Sequence, residues 1–200
     1  MTDFPASRHE LTDKCRRCPA LVEARECISW GNGPLDARVV VVGEAPAAGD
    51  PDAEQWRGGN LTGMAYTSRR SGRKIRALLA DAGVEQAYYT NAVKCHPPDN
   101  RDPTAEELAN CRPYLVDEIE TVDPAVVVTT GRHATESVLA LDGETLDGFL
   151  DTVLEPRESD ALDTEILPLL HPSYQEVWLS RLDYDRAEYV AGIADAVAER

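Results

Sequence analysis

Four short apolar runs rich in β-branched residues set the strongest limit on how this chain can fold. The clearest is Arg38-Val-Val-Val-Val-Gly43, and the other three span residues 87–92, 125–130 and 165–170. Continuous apolar runs of this length are typical of parallel strands that are buried on both faces. Helical patterns separate the runs, so the sequence predicts an α/β fold, a three-layer α/β/α sandwich with a central, mainly parallel four-stranded sheet.

Four segments show the spacing of amphipathic helices, and they cover residues 71–82, 104–121, 133–141 and 185–199. The second has the clearest start, because Pro103 and Thr104 are followed by two glutamates. Residues 50–60 and 141–165 lack such a pattern and are expected to be long loops. A chain of 200 residues is large enough to bury a core, and we expect residues 1–200 to form a single domain.

The composition favours a cytoplasmic protein without a membrane partner. No apolar run reaches the roughly 20 residues that a membrane-spanning helix needs, and the N-terminal residues lack the apolar core of a signal peptide. The chain has five cysteines. In a reducing compartment these are expected to be metal ligands or buried thiols and not disulfides.

The net charge of −16 argues at first against a nucleic-acid partner, because phosphate binding needs positive charge. The charge is uneven, however. Residues 61–115 are slightly basic, with a cluster that includes Arg69, Arg70 and Arg73, whereas the acidic excess lies mostly in residues 116–200. Such a surface is typical of adaptation to high salt, where a Debye length of about 3 Å near 1 M weakens repulsion from DNA. The alternative is an ordinary acidic protein that avoids nucleic acid.

Four cysteines have the spacing of metal ligands. Cys15 and Cys18 form a C-x2-C pair, and Cys95 and Cys111 supply two further thiols. Four thiolates suit tetrahedral zinc or an iron–sulfur cluster, and spacing does not separate these two. Cys95 and Cys111 are alternatively simple buried thiols. Cys27 has no partner at ligand spacing, so we predict a structural role for it.

Polar residues follow the predicted strands at their carboxyl ends, where active sites of such sheets lie. Glu44 comes directly after the first strand, and a carboxylate there can orient water or stabilise a developing cation. Asn91 ends the second strand and offers an amide that can read a base. His171 follows the last strand and can donate to a developing oxyanion. The alternatives are a loop or capping carboxylate for Glu44 and a turn histidine for His171.

The segment of residues 58–72 is glycine-rich at first, then carries an aromatic residue, and becomes basic where a helix begins. Its glycines allow close approach of the backbone to a ligand, and Tyr66 offers a flat face on which a base can stack. Arg69, Arg70 and Arg73 follow where a helix begins, a position that favours phosphate. The alternative for Tyr66 is a core aromatic.

These motifs together resemble the iron–sulfur uracil-DNA glycosylases of families four and five. The resemblance rests on Gly43-Glu-Ala-Pro-Ala47, Thr90-Asn-Ala-Val-Lys-Cys95-His-Pro-Pro-Asp-Asn-Arg101, Cys111 and His171-Pro-Ser173. It spans most of the chain, from Cys15 to about Ser173. Glu44 resembles family four, whereas the segment from Ala47 to Gly72 is more similar to family five. The stacking pair of family four is absent, and Tyr66 is its expected substitute.

The resemblance implies a DNA-repair hydrolase that flips uracil out of DNA and cleaves its glycosidic bond, acting as a monomer. It implies a structural 4Fe-4S cluster on the four spaced cysteines, with zinc as the alternative. Glu44 and His171 would be catalytic. The substrate-binding residues would be Ala45, Tyr66, Asn91 and Ser173, and Arg69, Arg70 and Arg73 would bind DNA. Tyr174 and Gln175 would enter the minor groove.

Two other functions are compatible with parts of the sequence. One is a non-catalytic iron–sulfur or zinc DNA-binding protein that has the same fold without the chemistry. The other is a small electron-transfer module, which would account for the cysteines but not for Glu44, Asn91 and His171 together.

Overall fold

A five-stranded sheet forms the centre of the computed structural model, which describes residues 4–182 and 184–198. The strand order is β2-β1-β3-β5-β4, and the strands are β1 (Val39–Gly43), β2 (Tyr88–Asn91), β3 (Val126–Thr130), β4 (Arg157–Ser159) and β5 (Thr164–Leu169). Four strands are parallel, and β4 pairs antiparallel with the edge of β5. The predicted α/β sandwich is therefore confirmed.

The valine runs form strands because both faces of the sheet are covered. All five residues of β1 are buried. Val39 and Val41 lie in one apolar cluster, whereas Val40 and Val42 lie in the other, on the opposite face. Alternate side chains of a strand point to opposite faces, so a continuous apolar run is what two covered faces require.

Helices pack against both faces of the sheet. They are α1 (Pro19–Ala24), α2 (Gly59–Thr62), α3 (Ser71–Asp81), α4 (Ala105–Val122), α5 (Arg132–Leu139), α6 (Gln175–Leu179) and α7 (Arg186–Ala198). Apolar residues of α3 and α7 pack on one face, and those of α4 and α5 pack on the other. The predicted start of α4 is a capping box between Thr104 and Glu107. Short 3₁₀ helices span Pro98–Asn100 and Leu150–Thr152.

The sheet has one strand more than the sequence predicts. Strand β4 and the second 3₁₀ helix lie within residues 141–165, which were expected to be a loop. The reason is that β4 has only three residues, Arg-Glu-Ser, and lies at the sheet edge. It therefore carries no apolar periodicity. Within the described ranges, no helix is long and apolar enough to cross a membrane.

The strand order creates a crevice between β1 and its neighbours. The chain passes from β1 to β2 on one side and then to β3 on the other side of β1. The connections leaving the carboxyl ends of these strands therefore diverge there, and such switch points are where open α/β sheets bind ligands.

Candidate active site and thiol cluster

A narrow pocket lies at this switch point, at the carboxyl ends of the strands. Its cavity volume is about 70 Å³. It opens into a cleft of about 840 Å³, and the pocket and the cleft share Glu44, Ala45 and His171. Asn91 and Tyr66 also line the narrow pocket. The structure thus brings together side chains from the ends of β1, β2 and β5 and from the glycine-rich segment.

Asn91 ends β2 with its side chain in the pocket, and it is only 3 % exposed. Its amide nitrogen Nδ2 is buried and has no hydrogen-bond partner. Its Oδ1 lies so close to Gly43 that a Cβ there would come within 2.6 Å of it. A buried donor without a partner is costly in a folded protein. The amide is therefore a hydrogen-bonding group that a ligand in the pocket can satisfy.

Tyr66 forms a wall of the pocket and is also part of the core. Its hydroxyl lies 2.5 Å from Oγ1 of Thr130, and its ring meets that of Tyr89 at a centroid distance of 5.8 Å. Burial raises the pKa of Tyr66, so the phenol is neutral. Its backbone has a φ of +52°, a conformation that non-glycine residues rarely adopt. Both expectations for Tyr66, the core aromatic and the ligand-facing aromatic, therefore fit its position.

His171 points into the pocket in a defined tautomer. The backbone N–H of Ser173 donates to its Nδ1 over 3.2 Å. Burial lowers the pKa of His171, so the imidazole is neutral at neutral pH. Since Nδ1 accepts a hydrogen bond, the single ring proton is on Nε2, which is free to donate. Ser173 itself lines the outer cleft and not the narrow pocket.

Glu44 meets two residues that the sequence analysis did not select. One side-chain ligand atom each of Glu44, Asp102 and His133 lies within 4.8 Å of the others. Burial raises the pKa of Glu44, and the charge of His133 lowers it while that of Asp102 raises it. His133 follows β3 at Gly131-Arg-His, so the same strand-end rule that selected Glu44 and Asn91 would have found it.

The four spaced cysteines come together beside the pocket. Cys18, Cys95 and Cys111 pack in one cluster with Leu21 and Val93. Cys15 and Cys18 lie close enough to Cys95 for their charges to raise the pKa of its thiol, although burial is the larger cause. Cys27 is half-buried and lies outside this cluster.

Hydrogen-bond donors surround the thiols. Arg25 donates to Sγ of Cys95 over 3.0 Å and to the carbonyl of Cys15 over 2.7 Å. The backbone N–H of Lys94 donates to Sγ of Cys111 over 3.3 Å, and burial raises the pKa of that thiol to about 12. Donors of this kind offset the negative charge that thiolates acquire when they bind a metal centre.

A single zinc ion and an iron–sulfur cluster require different distances between the sulfur atoms that hold them. A tetrahedral zinc ion with Zn–S bonds of about 2.3 Å requires sulfur atoms about 3.8 Å apart. Across residues 4–182 and 184–198, no three of the thiols lie within 4.8 Å of one another. Four cysteines at this wider spacing, with hydrogen-bond donors around them, are a donor set that is compatible with an iron–sulfur cluster.

The basic residues divide into two groups. Arg69 and Arg70 are exposed and line the cleft. Arg73 is exposed one turn further along α3 but is not among the cleft residues; its guanidinium lies 5.3 Å from the ring centroid of Trp56. Beyond His171, Tyr174 is 61 % exposed, as a groove-binding residue requires. Gln175 is buried, so the expectation that it enters the groove is wrong.

Comparisons with known proteins agree with this geometry. Residues 30–195 match the family described as Uracil DNA glycosylase superfamily. The chain is 39 % identical over 165 residues to a type-5 uracil-DNA glycosylase of Pyrobaculum aerophilum, covering 68 % of this chain and 69 % of the relative. It is 34 % identical to a type-4 uracil-DNA glycosylase of Thermotoga maritima, covering 82 % and 79 %. It is 30 % identical to a type-5 uracil-DNA glycosylase of Mycobacterium leprae, covering 84 % of each chain.

Proposed function

Because the chain belongs to the uracil-DNA glycosylase superfamily, we propose that it removes uracil from DNA by hydrolysing the N-glycosidic bond, as a repair enzyme. The observation that carries this proposal is the unpaired, buried Nδ2 of Asn91 in the narrow pocket. The O4 of uracil accepts from Nδ2, and the N3–H of uracil donates to Oδ1. Cytosine has an amino group at position 4, so two donors would face each other and cytosine would be rejected.

A base in a duplex cannot reach a pocket that lies at the bottom of a cleft, so the target nucleotide must be flipped out of the stack. In this proposal the cleft holds the DNA backbone. Arg69 and Arg70 face it and contact phosphates, and Arg73 adds charge from the next turn of α3. Exposed Tyr174 fills the gap in the groove, and Ser173 contacts the substrate beside it.

The reaction separates charge, and two side chains that line the pocket stabilise the separated charges. His171 donates from Nε2 to the uracil oxygen that becomes negative as the bond from N1 to C1′ breaks. Glu44 as a carboxylate stabilises the cationic sugar and orients the water that attacks C1′. Ala45 and Tyr66 hold the base between them. Loss of one such group commonly lowers the rate about a hundredfold to a thousandfold.

For the thiols, we propose that Cys15, Cys18, Cys95 and Cys111 hold a 4Fe-4S cluster. The support is the donor set and a spacing too wide for one zinc ion. When bound, the cluster supplies a structural cross-link between the N-terminal segment, the loop after β2 and helix α4. That cross-link fixes the end of β2, which carries Asn91.

We further propose that residues 1–200 act as one domain and as a monomer in the cytoplasm. The support is that the pocket lies at the edge of one continuous five-stranded sheet and that three of the four thiols pack in one cluster with pocket residue Ala45. A reducing compartment keeps the thiols available for a metal centre.

The test is release of uracil from a uracil-containing oligonucleotide, measured from low salt to several molar salt because the chain is strongly acidic. Glu44→Ala, Asn91→Ala and His171→Ala should each lose about a hundredfold or more in rate, whereas Cys27→Ser should match the wild type. DNA binding by the wild type without release at any salt would instead support the non-catalytic DNA-binding protein. Broad visible absorbance of protein purified without oxygen is expected for the cluster, and stoichiometric zinc in colourless protein would contradict it.

A further inference from the structure

Three carboxylates lie close to one imidazole at the mouth of the pocket. His133, in the first turn of α5, places Nε2 3.3 Å from Oδ2 of Asp102 and Nδ1 3.5 Å from Oε2 of Glu136. A ligand atom of Glu44 lies within 4.8 Å of both His133 and Asp102. Arg132 donates to Glu136 over 2.6 Å and already balances that carboxylate. The imidazole therefore lies close to both the half-buried Glu44 and the exposed Asp102.

The three carboxylates differ in how much water reaches them. The side chain of Asp102 is 74 % exposed, and that of Glu136 is 29 % exposed. Glu44 lies deeper, and burial raises its pKa. Of the groups that face Glu44, Asp102 raises that pKa further, whereas His133 lowers it. His171 shares the cleft but is neutral at neutral pH. His133 is thus the nearby group whose positive charge favours an ionised Glu44.

We propose that His133 is a positioning residue of the glycosylase reaction, which keeps the carboxylate of Glu44 ionised and aimed at the pocket while Asp102 and Glu136 hold the imidazole ring. The inference rests on the proposed function, because it assigns His133 a task in that same site. Imidazole is suited to it, because its two ring nitrogens can be held by two carboxylates at once.

The arrangement also accounts for the proton that hydrolysis produces. As the bond from N1 to C1′ breaks, uracil leaves with the electron pair, and a bond forms from the water oxygen to C1′. The proton that the water loses passes to Glu44 and from there to solvent at the mouth of the pocket, where exposed Asp102 lies within 4.8 Å. The uracil anion takes up a proton from solvent, so atoms and charges balance.

The test is the pH dependence of the single-turnover rate of uracil release with enzyme in excess, so that DNA binding does not limit the rate. The wild type should lose activity in acid as Glu44 becomes protonated. In His133→Gln the midpoint of this loss should move up by about one pH unit, so that the rate below both midpoints falls about tenfold. His133→Arg, which keeps a positive charge, should retain the wild-type midpoint. Glu144→Gln removes a carboxylate paired with Arg157 beyond α5 and serves as the charge control.

The outcomes separate the inference from the function on which it rests. An unchanged midpoint in His133→Gln, or an equal fall in rate at every pH, would show a merely structural histidine and overturn the proposal. The same shift in Glu144→Gln would overturn it too, because it would reflect overall charge. Wild-type enzyme that releases no uracil refutes the proposed function itself. A melting temperature within a few degrees of the wild type shows that a variant is folded. If His133→Gln does not fold, His133→Arg tests the proposal instead. Because His133→Arg keeps the positive charge, a shift in its pH midpoint would contradict the proposal.

Discussion

Replacing Glu118 by Gln should strongly destabilise the protein, because it leaves a buried ammonium group without its counter-charge. Lys94 and Glu118 form an ion pair of 2.6 Å, and their side chains are 1 % and 0 % exposed. The ammonium of Lys94 also donates to Oγ1 of Thr90 and to the carbonyl of Asn91, over 2.7 and 2.6 Å. The pair thus ties the strand end that carries the pocket amide to helix α4.

The carboxylate of Glu118 also accepts hydrogen bonds from three other groups. It accepts from the backbone N–H of Gly31 over 2.8 Å, from the hydroxyl of Tyr88 over 3.2 Å and from the hydroxyl of Thr90. Breaking a buried pair by removing one charge commonly costs about 3 to 5 kcal/mol, since the remaining charge is not solvated. For a chain of this size that corresponds to a fall in melting temperature of about 6 to 20 °C.

Thermal melting of Glu118→Gln measures this effect, and visible absorbance recorded beside it reports on the proposed cluster. The surface pair of Arg186 and Asp81, whose side chains are 55 % and 54 % exposed, gives the matched control. Arg186→Gln should cost less than about 1 kcal/mol, and high salt should mask that cost. The double variant Lys94→Met with Glu118→Gln should lose less free energy of unfolding than the two single variants lose together. If Glu118→Gln melts no lower than Arg186→Gln, the account of the buried pair is wrong.

Three further outcomes are expected. Gly43→Ala should lower the rate of uracil release about a hundredfold, because its methyl group would lie 2.6 Å from the amide oxygen in the pocket; an unchanged rate would mean that the base binds elsewhere. Cys111→Ser should lose visible absorbance, whereas Cys27→Ser should keep it. The hydrogen bond from Arg101 lowers the pKa of Glu107, so this stabilisation is present above the usual carboxyl pKa and is lost as pH falls through the lowered value. The melting temperatures of wild type and Arg101→Gln should therefore converge in acid, and a constant difference would contradict this.

Local features of the sequence determined much of the fold. The run of valines from 39 to 42 predicted a strand buried on both faces, because alternate side chains point to opposite faces and all of them are apolar. Thr104 predicted the start of α4, because a capping box needs only a threonine and a glutamate three positions later in the sequence, here Glu107. Strand-end position identified Glu44, Asn91 and His171, since parallel strands bring their carboxyl ends to one edge. Strand β4 was missed because three polar residues at an edge have no such signature.

Tertiary structure decided the partners of the charged groups. Nothing in the sequence joins His133 to Asp102 or Lys94 to Glu118, because these residues lie on different elements and any acidic residue of the chain could serve. The spacing of the cysteines in the sequence does not separate zinc from an iron–sulfur cluster, and the distances between the thiols depend on how the N-terminal segment, the loop after β2 and α4 pack. Periodicity and motif order determine which elements form, because they depend on neighbouring residues. Which charges meet, and at what distance, depends on how the elements pack.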